Sequence, residues 1–369
     1  MGGSESNVRG LLGQYADGNG PDEVTVLANR HVMEPYARFE RGPVRLHHVS
    51  SYRPGDSQPT RLAAMAGARV APGLAARDVP AGLDVVHYPV TVPIPRTPAP
   101  SVVTVHDVQH HELPALFSRA ERAYRSWAYD DAARGADVLV TSSEYSRDRL
   151  VELVGADPGR TEVVRMGVDH DRFRPDPGAE DGSLLEPLGL PERYVVYPAN
   201  LWPHKNHERL LEGLALACDE ELGVALTGQT YGRLDALMEK ARQLGVERRV
   251  HHLGFLPSEA VPALFRRARA MVFPSLYEGF GAPPLEAMAC GAPVAASLRA
   301  SLAEACAGAV AEIDPEDPRS IAAGIDTVSG DEDERARLRA AGLERAARFT
   351  WEEAARRHTE ICSRVAGRN

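Results

Sequence analysis

Cysteine is scarce in this chain. Cys218, Cys290, Cys306 and Cys362 are the only four in 369 residues, they are widely spaced, and no C-x-x-C pair occurs. That excludes a disulfide frame and a cysteine zinc site, and leaves reduced thiols in a cytoplasmic protein as the expectation. A basic excess is also missing: 42 Lys and Arg stand against 52 Asp and Glu, a net charge of −10. Nucleic-acid binders usually carry the opposite balance, so no nucleic-acid partner is expected. No apolar run approaches the roughly 20 residues of a membrane-spanning helix. The opening Met1-Gly2-Gly3-Ser4-Glu5-Ser6 is polar, unlike a signal peptide. No internal repeat or low-complexity run stands out.

What is present is an alternation of short apolar runs with helical segments, which argues for parallel sheets wound with helices. Strands are predicted over Glu23–Ala28, Asp84–Tyr88, Ser101–His106, Asp137–Thr141 and Glu162–Arg165, and helices over Ser6–Tyr15, Arg119–Arg134 and Ser143–Val154. Pro175–Gly182 is rich in turn residues and acid and reads as a linker. A second set follows: strands Tyr194–Pro198, Gly223–Thr227, Val250–Leu253, Ala270–Pro274 and Pro293–Ala296, with helices His207–Cys218, Arg233–Leu244, Ser258–Arg267 and Pro283–Cys290. The length fits two doubly wound α/β domains, 1–174 and 175–349, with a last helix inside 350–369. Ligands in such sheets bind at the carboxyl ends of the strands.

The densest chemistry lies in Pro274–Gly291. Glu278 and Glu286 stand eight residues apart, with Gly279-Phe280-Gly281 and Pro283-Pro284 between them. The glycines let a ligand approach the main chain closely, and the prolines suit the first turn of a helix. Glu278 is therefore expected on a loop and Glu286 just inside a helix. Both then flank a helix N-terminus whose free N–H groups attract anions. An anion held by backbone donors, with a carboxylate on each side to accept from hydroxyls, suits a sugar nucleotide.

This segment resembles the E-x7-E motif of retaining glycosyltransferases of family 4, which have the GT-B fold: two Rossmann-like domains facing a central cleft. The apolar strand Ala270–Phe273, Glu278-Gly279-Phe280-Gly281 and Glu286-Ala287-Met288-Ala289-Cys290-Gly291 all fit. The resemblance implies that Glu278 orients the sugar and stabilises positive charge at its anomeric carbon, and that Glu286 bonds the ribose hydroxyls. It implies that Phe280, Gly281, Ala282 and Leu285 line the sugar diphosphate. Tyr197–His207 resembles the family's diphosphate clamp. Lys205 fits the clamp lysine, while the arginine five positions earlier is replaced by Asn200, with Arg233 a candidate substitute. Leu253–Glu259, including Leu256, resembles the loop whose backbone reads the nucleobase. His106, at the end of a strand in Val103–Pro114, matches a family histidine that contacts the donor sugar.

His106, His110 and His111 also invite a metal reading. They lack a helical i, i+4 pair with a glutamate, and the resembling fold needs no metal. The expectation is therefore a metal-independent enzyme without a cofactor, using a GDP- or UDP-linked sugar as co-substrate. The family normally opens with a strand, a glycine-rich turn and a helix. This chain opens at the turn, with Gly2 and Gly3, so the first strand of the N-terminal domain is expected to be absent and the natural start to lie upstream. Asp84–Pro89 and Tyr197–Lys205 look most like bacterial mannosyltransferases of polysaccharide assembly, which puts GDP-mannose first as donor. The acceptor is a hydroxyl of a glycan, a lipid-linked glycan or a small molecule. Arg119–Arg134, arginine-rich with Trp127, offers a peripheral membrane contact, although a solvated helix face explains it as well. A degenerate GT-B binding subunit and a GT-B epimerase or phosphorylase are the alternative readings.

Overall fold

The computed structural model describes residues 3–49, 66–67, 70 and 72–367. Contacts divide the chain into two units, Met1–Gly167 with Trp351–Asn369, and Val168–Thr350. The junction falls at Gly167/Val168 rather than at 174/175. The second unit is entered and left side by side: the Val168 amide donates to the Phe349 carbonyl at 3.0 Å, and the His170 ring meets the same oxygen at 3.1 Å. The segment Pro175–Gly182 is not a free linker either. Its end enters a helical turn, Asp181–Leu185, and Asp181 takes two bonds from the Arg266 guanidinium, at 2.5 and 2.7 Å.

Among the described residues the first unit holds six parallel strands in two sheets. β1 (Val24–Ala28) pairs with β2 (Val44–His48). β3 (Val86–Tyr88), β4 (Ser101–Thr104), β5 (Val138–Thr141) and β6 (Thr161–Val163) form the other sheet in that order. Among the described residues no strand joins the two sheets, so β1 pairs only with β2 and β3 only with β4. The central strands are apolar on both faces, as a parallel sheet covered by helices requires. Val102, Val138 and Val140 pack with Leu11 and Leu12 of the helix Gly3–Ala16 and with Ala355 and Ile361 of the helix Trp351–Ala366. Val103, Val105 and Leu139 pack with Ala132, Ala133, Leu150 and Val154 on the other face.

Two helices expected to be uniform are not. Arg119–Arg134 is broken by a π-turn at Ser126–Asp130, and Ser143–Val154 ends in another at Leu150–Val154. Each π-turn inserts a residue and rotates the side chains that follow it. Gly3, expected in a turn, is the first residue of a helix, and Gly2 lies outside the described residues.

The second unit is a single parallel sheet, with β7 (Tyr194–Pro198), β8 (Gly223–Thr227), β9 (Val250–His252), β10 (Ala270–Phe273), β11 (Val294–Ala296) and β12 (Ala311–Glu312) in the spatial order β12-β11-β10-β7-β8-β9. The order reverses between β10 and β7, and loops leaving adjacent strands at such a switch point lie close together. Helices Pro318–Gly330 and Glu332–Ala346 complete the unit, each capped by an aspartate: Asp317 accepts from the Arg319 amide and Asp331 from the Glu334 amide.

Several histidines are buried neutral. Burial carries His87 and His207 down to about 4 from an ordinary value of 6.5, with His106 beside the first and Lys205 and His252 beside the second adding to the shift. Burial also lowers His358 well below its ordinary value. Between pH 6.5 and 4 the unfolded chain therefore takes up protons that the folded chain refuses, and stability falls as pH falls through that window. Glu286, raised to about 7, acts in the opposite sense, one carboxyl against several imidazoles. Thermal midpoints taken from pH 7 to pH 5 should drop by roughly several degrees. A flat or rising profile would contradict this.

Candidate active site

The loops after β7 and β10, neighbours across the switch point, are stitched together. Asn206 opens the helix His207–Leu216 with φ +63°. Its buried side-chain amide donates to the carbonyls of Pro274 (3.1 Å) and Pro315 (2.6 Å). The Leu276 amide donates to the His204 carbonyl at 2.8 Å, and the Tyr197 hydroxyl to the Lys205 carbonyl at 2.6 Å. The two loops are thus held in register without help from exposed side chains.

That stitching brings together two residues 73 positions apart. Lys205 Nζ lies 2.5 Å from Glu278 Oε1, both side chains largely covered. A charge-assisted bond of this kind is strong because little water competes for it. Lys205 and Lys240 are the only lysines in the chain, which otherwise uses arginine. A lysine gives a compact charge on a flexible stem, able to change partner where a bound guanidinium fork is less free to do so. Glu278 is fixed from behind, since Ser301 Oγ donates to its carbonyl at 2.7 Å.

Glu278 leads directly into a helix N-terminus. Gly281 caps the helix Ala282–Ala289 at φ +100°, and a Cβ there would stand 2.6 Å from Leu302 Cδ2. Glycine is needed on both counts. Pro283 and Pro284 fill the first turn and carry no N–H, so the donors left without an intrahelical acceptor are concentrated at Gly281 and Ala282. Phe280 is buried with its ring edge on Phe349, centroids 5.8 Å apart. Leu285 is fully buried.

Glu286 sits in the same helix. Burial raises its carboxyl to about 7, opposed by Arg172 and reinforced by Asp169. Arg172 bonds the Ser258 carbonyl at 2.6 Å, and its Nε is buried without a protein partner. Neither Arg172 nor Ser301 is singled out by the sequence, because each acts through a loop contact that has no spacing rule.

The remaining expected residues are dispersed. Asn200, in the place of the clamp arginine, accepts from the Gln229 amide at 2.8 Å and packs on Gly228, tying the ends of β7 and β8 together. Arg233 caps the helix Leu234–Gln243 with its backbone and is exposed. Leu256 is buried in the loop after β9, beside the exposed Phe255.

His106 belongs to the first unit, two residues beyond β4. Its Nε2 lies 3.2 Å from the Pro89 carbonyl. A carbonyl can only accept, so Nε2 carries the proton and Nδ1 is left as an acceptor. Burial lowers its basicity, which keeps the ring neutral. The His110 and His111 rings both converge on Asp130, a residue that no spacing rule connects to them.

Comparison with known proteins bears on the family and the fold. The family model described as "Glycosyl transferases group 1" matches residues 186–345, and the one described as "Glycosyltransferase Family 4" matches residues 1–172. The chain is 30% identical to the O-antigen chain mannosyltransferase B of Escherichia coli over 256 residues, 68% of this chain and 67% of that protein. It is 31% identical to the D-inositol 3-phosphate glycosyltransferase of Frankia alni over 66% of this chain, but spans only 62% of that relative. The structure of Anabaena Alr3699/HepE in complex with UDP-glucose superposes with a TM-score of 0.75 at 22% identity, covering 99% of this chain and 96% of that one. Two Rossmann-like units of the GT-B fold and a match to both family models leave one conclusion: this chain belongs to the group 1, family 4 glycosyltransferases.

Proposed function

We propose that this glycosyltransferase is a retaining, metal-independent hexosyltransferase of the cytoplasm. It takes a hexose from a nucleotide diphosphate sugar, GDP-mannose first and UDP-linked sugars next, and transfers it to a hydroxyl of a glycan, lipid-linked or small-molecule acceptor. The observation that carries the reading is the Lys205–Glu278 pair at the start of a glycine-capped helix that holds a second carboxylate, Glu286. The mannosyltransferase relative supports the sugar. In this reading the donor's diphosphate replaces Glu278 as the partner of Lys205 and takes the amides of Phe280, Gly281 and Ala282. Glu278, released, accepts from the sugar hydroxyls and stabilises the positive charge that develops as the anomeric C–O bond breaks. The acceptor oxygen bonds to the anomeric carbon, and its proton passes to the leaving phosphate. Glu286, ionised, accepts from two ribose hydroxyls. The neutral His106 ring, with Nδ1 open, suits the hydroxyl contact that the family resemblance assigns to it.

Thermal shifts with GDP, UDP, dTDP and ADP, followed by the matching sugar nucleotides, test the proposal. A nucleotide present at 100 times its dissociation constant should stabilise by about 2.7 kcal/mol. One nucleotide standing out names the donor base and supports transfer. No shift with any of them would favour the binding-subunit reading. Release of sugar to water or free phosphate alone would favour the epimerase or phosphorylase reading.

A further inference from the structure

His110 and His111 are neighbours in a single helical turn, Gln109–Glu112. Adjacent residues on a helix point about 100° apart and do not normally share a target. Here both do. His110 Nε2 lies 3.3 Å from Asp130 Oδ1, and His111 Nε2 lies 3.1 and 3.0 Å from the two Asp130 oxygens. The three donor atoms all fall within 4.8 Å of one another. Asp130 reaches them from the last position of the π-turn Ser126–Asp130, and such turns often mark functional positions.

A hydrogen-bond account covers only part of this. One carboxylate can hold two imidazole N–H groups, but that leaves unexplained why two adjacent helical residues are both turned onto it; His110 Nδ1 is buried with no protein partner whichever group Nε2 meets. Ligands about 2.0–2.1 Å from a tetrahedral ion stand roughly 3.3–3.4 Å from each other, close to the His–Asp separations found here. Two neutral imidazoles and one carboxylate also form a ligand set that first-row transition metals favour. Asp130 and His110 are buried, with side chains 8% and 1% exposed, while the His111 side chain is 25% exposed and leaves a way in.

We propose that His110, His111 and Asp130 bind a divalent first-row transition ion, of which zinc is the model, with an open fourth position for water. The site lies in the segment that follows His106 and cross-links Gln109–Glu112 to the helical run from Arg119 to Gly135. It is independent of the transferase reading and takes no part in the chemistry assigned above. It also departs from the metal-free expectation drawn from sequence, which looked for a helical i, i+4 pair and could not see Asp130.

The test is a titration of the chelator-stripped full chain with Co²⁺, followed by visible d–d absorption, then displacement by Zn²⁺. The expected result is one Co²⁺ per chain, displaced by Zn²⁺, with affinity reduced at least tenfold in both Asp130→Asn and His111→Gln. His111→Gln changes a partly exposed residue and decides the matter if Asp130→Asn does not fold. Absence of Co²⁺ absorption in the wild-type chain overturns the proposal. So does binding that survives in the folded variants, since the ion would then sit elsewhere.

Discussion

Glu278→Ala should lower turnover by roughly 10²–10³-fold, the loss seen when one preorganised charge-stabilising group is removed from an active site. Nucleotide affinity should survive, and the structure gives a reason for more than survival. Lys205 already has a partner in Glu278 at 2.5 Å, so a diphosphate must compete with that carboxylate for the ammonium. Removing Glu278 frees Lys205, and the nucleotide diphosphate should bind as tightly as before or tighter. Lys205→Ala should show the opposite pattern, weaker nucleotide binding with the carboxylate left in place. The two measurements are the initial rate at saturating donor and the nucleotide dissociation constant by calorimetry. A fall in both by the same factor for Glu278→Ala would mean that Glu278 holds the nucleotide rather than the reacting sugar. Ser301 supports the same residue through its backbone carbonyl, so Ser301→Ala should reproduce a weaker form of the Glu278 pattern.

How much of this was legible in the sequence depended on the distance over which each feature is determined. The central strands could be read because burial on both faces forces unbroken apolar runs, as at Val138–Thr141 and Ala270–Phe273. The cap of the Ala282 helix could be read because Gly281 and the two prolines are local signals. The resemblance places Lys205 on the diphosphate and Glu278 on the sugar; their direct pairing is a finding of the structure, since nothing local links residues 73 positions apart. Strands Val44–His48 and Ala311–Glu312 and the helices Pro318–Gly330 and Glu332–Ala346 are outside what the sequence predicts. The two helices did carry signals, the caps Asp317 and Asp331 with Pro318 at the first helical position. Asn200 looked like a defect in a clamp; its side chain instead ties Gln229 to the end of β7, a contact with no signature in spacing. The convergence on Asp130 was out of reach because a π-turn has no dependable sequence mark and shifts every helical face after it.

Glu286→Ala should act on binding rather than on turnover. A carboxylate accepting from two ribose hydroxyls makes two hydrogen bonds to a charged group, each worth about 1.5–3 kcal/mol, so their loss should weaken the nucleotide roughly a hundredfold or more. Turnover at saturating donor should stay within a few-fold of wild type. The carboxyl also supplies a pH signature. Burial raises it to about 7, so near neutrality the empty site is about half protonated. Only the ionised form accepts from both hydroxyls, so binding below pH 7 must expel the proton, and affinity should fall as pH drops, approaching tenfold per unit. The nucleotide's own phosphate titrates nearby, which makes the difference between wild type and Glu286→Ala the quantity to read. Calorimetry at pH 6.5 in two buffers of different ionisation enthalpy should show proton release for wild type beyond that of the variant. Arg172, which opposes the burial of Glu286, supplies the matching control: Arg172→Met should push the carboxyl higher still and move the loss of affinity to higher pH. Equal proton release from wild type and Glu286→Ala would show that the carboxyl does not change its charge on binding, and would place the ribose contact elsewhere in the loops.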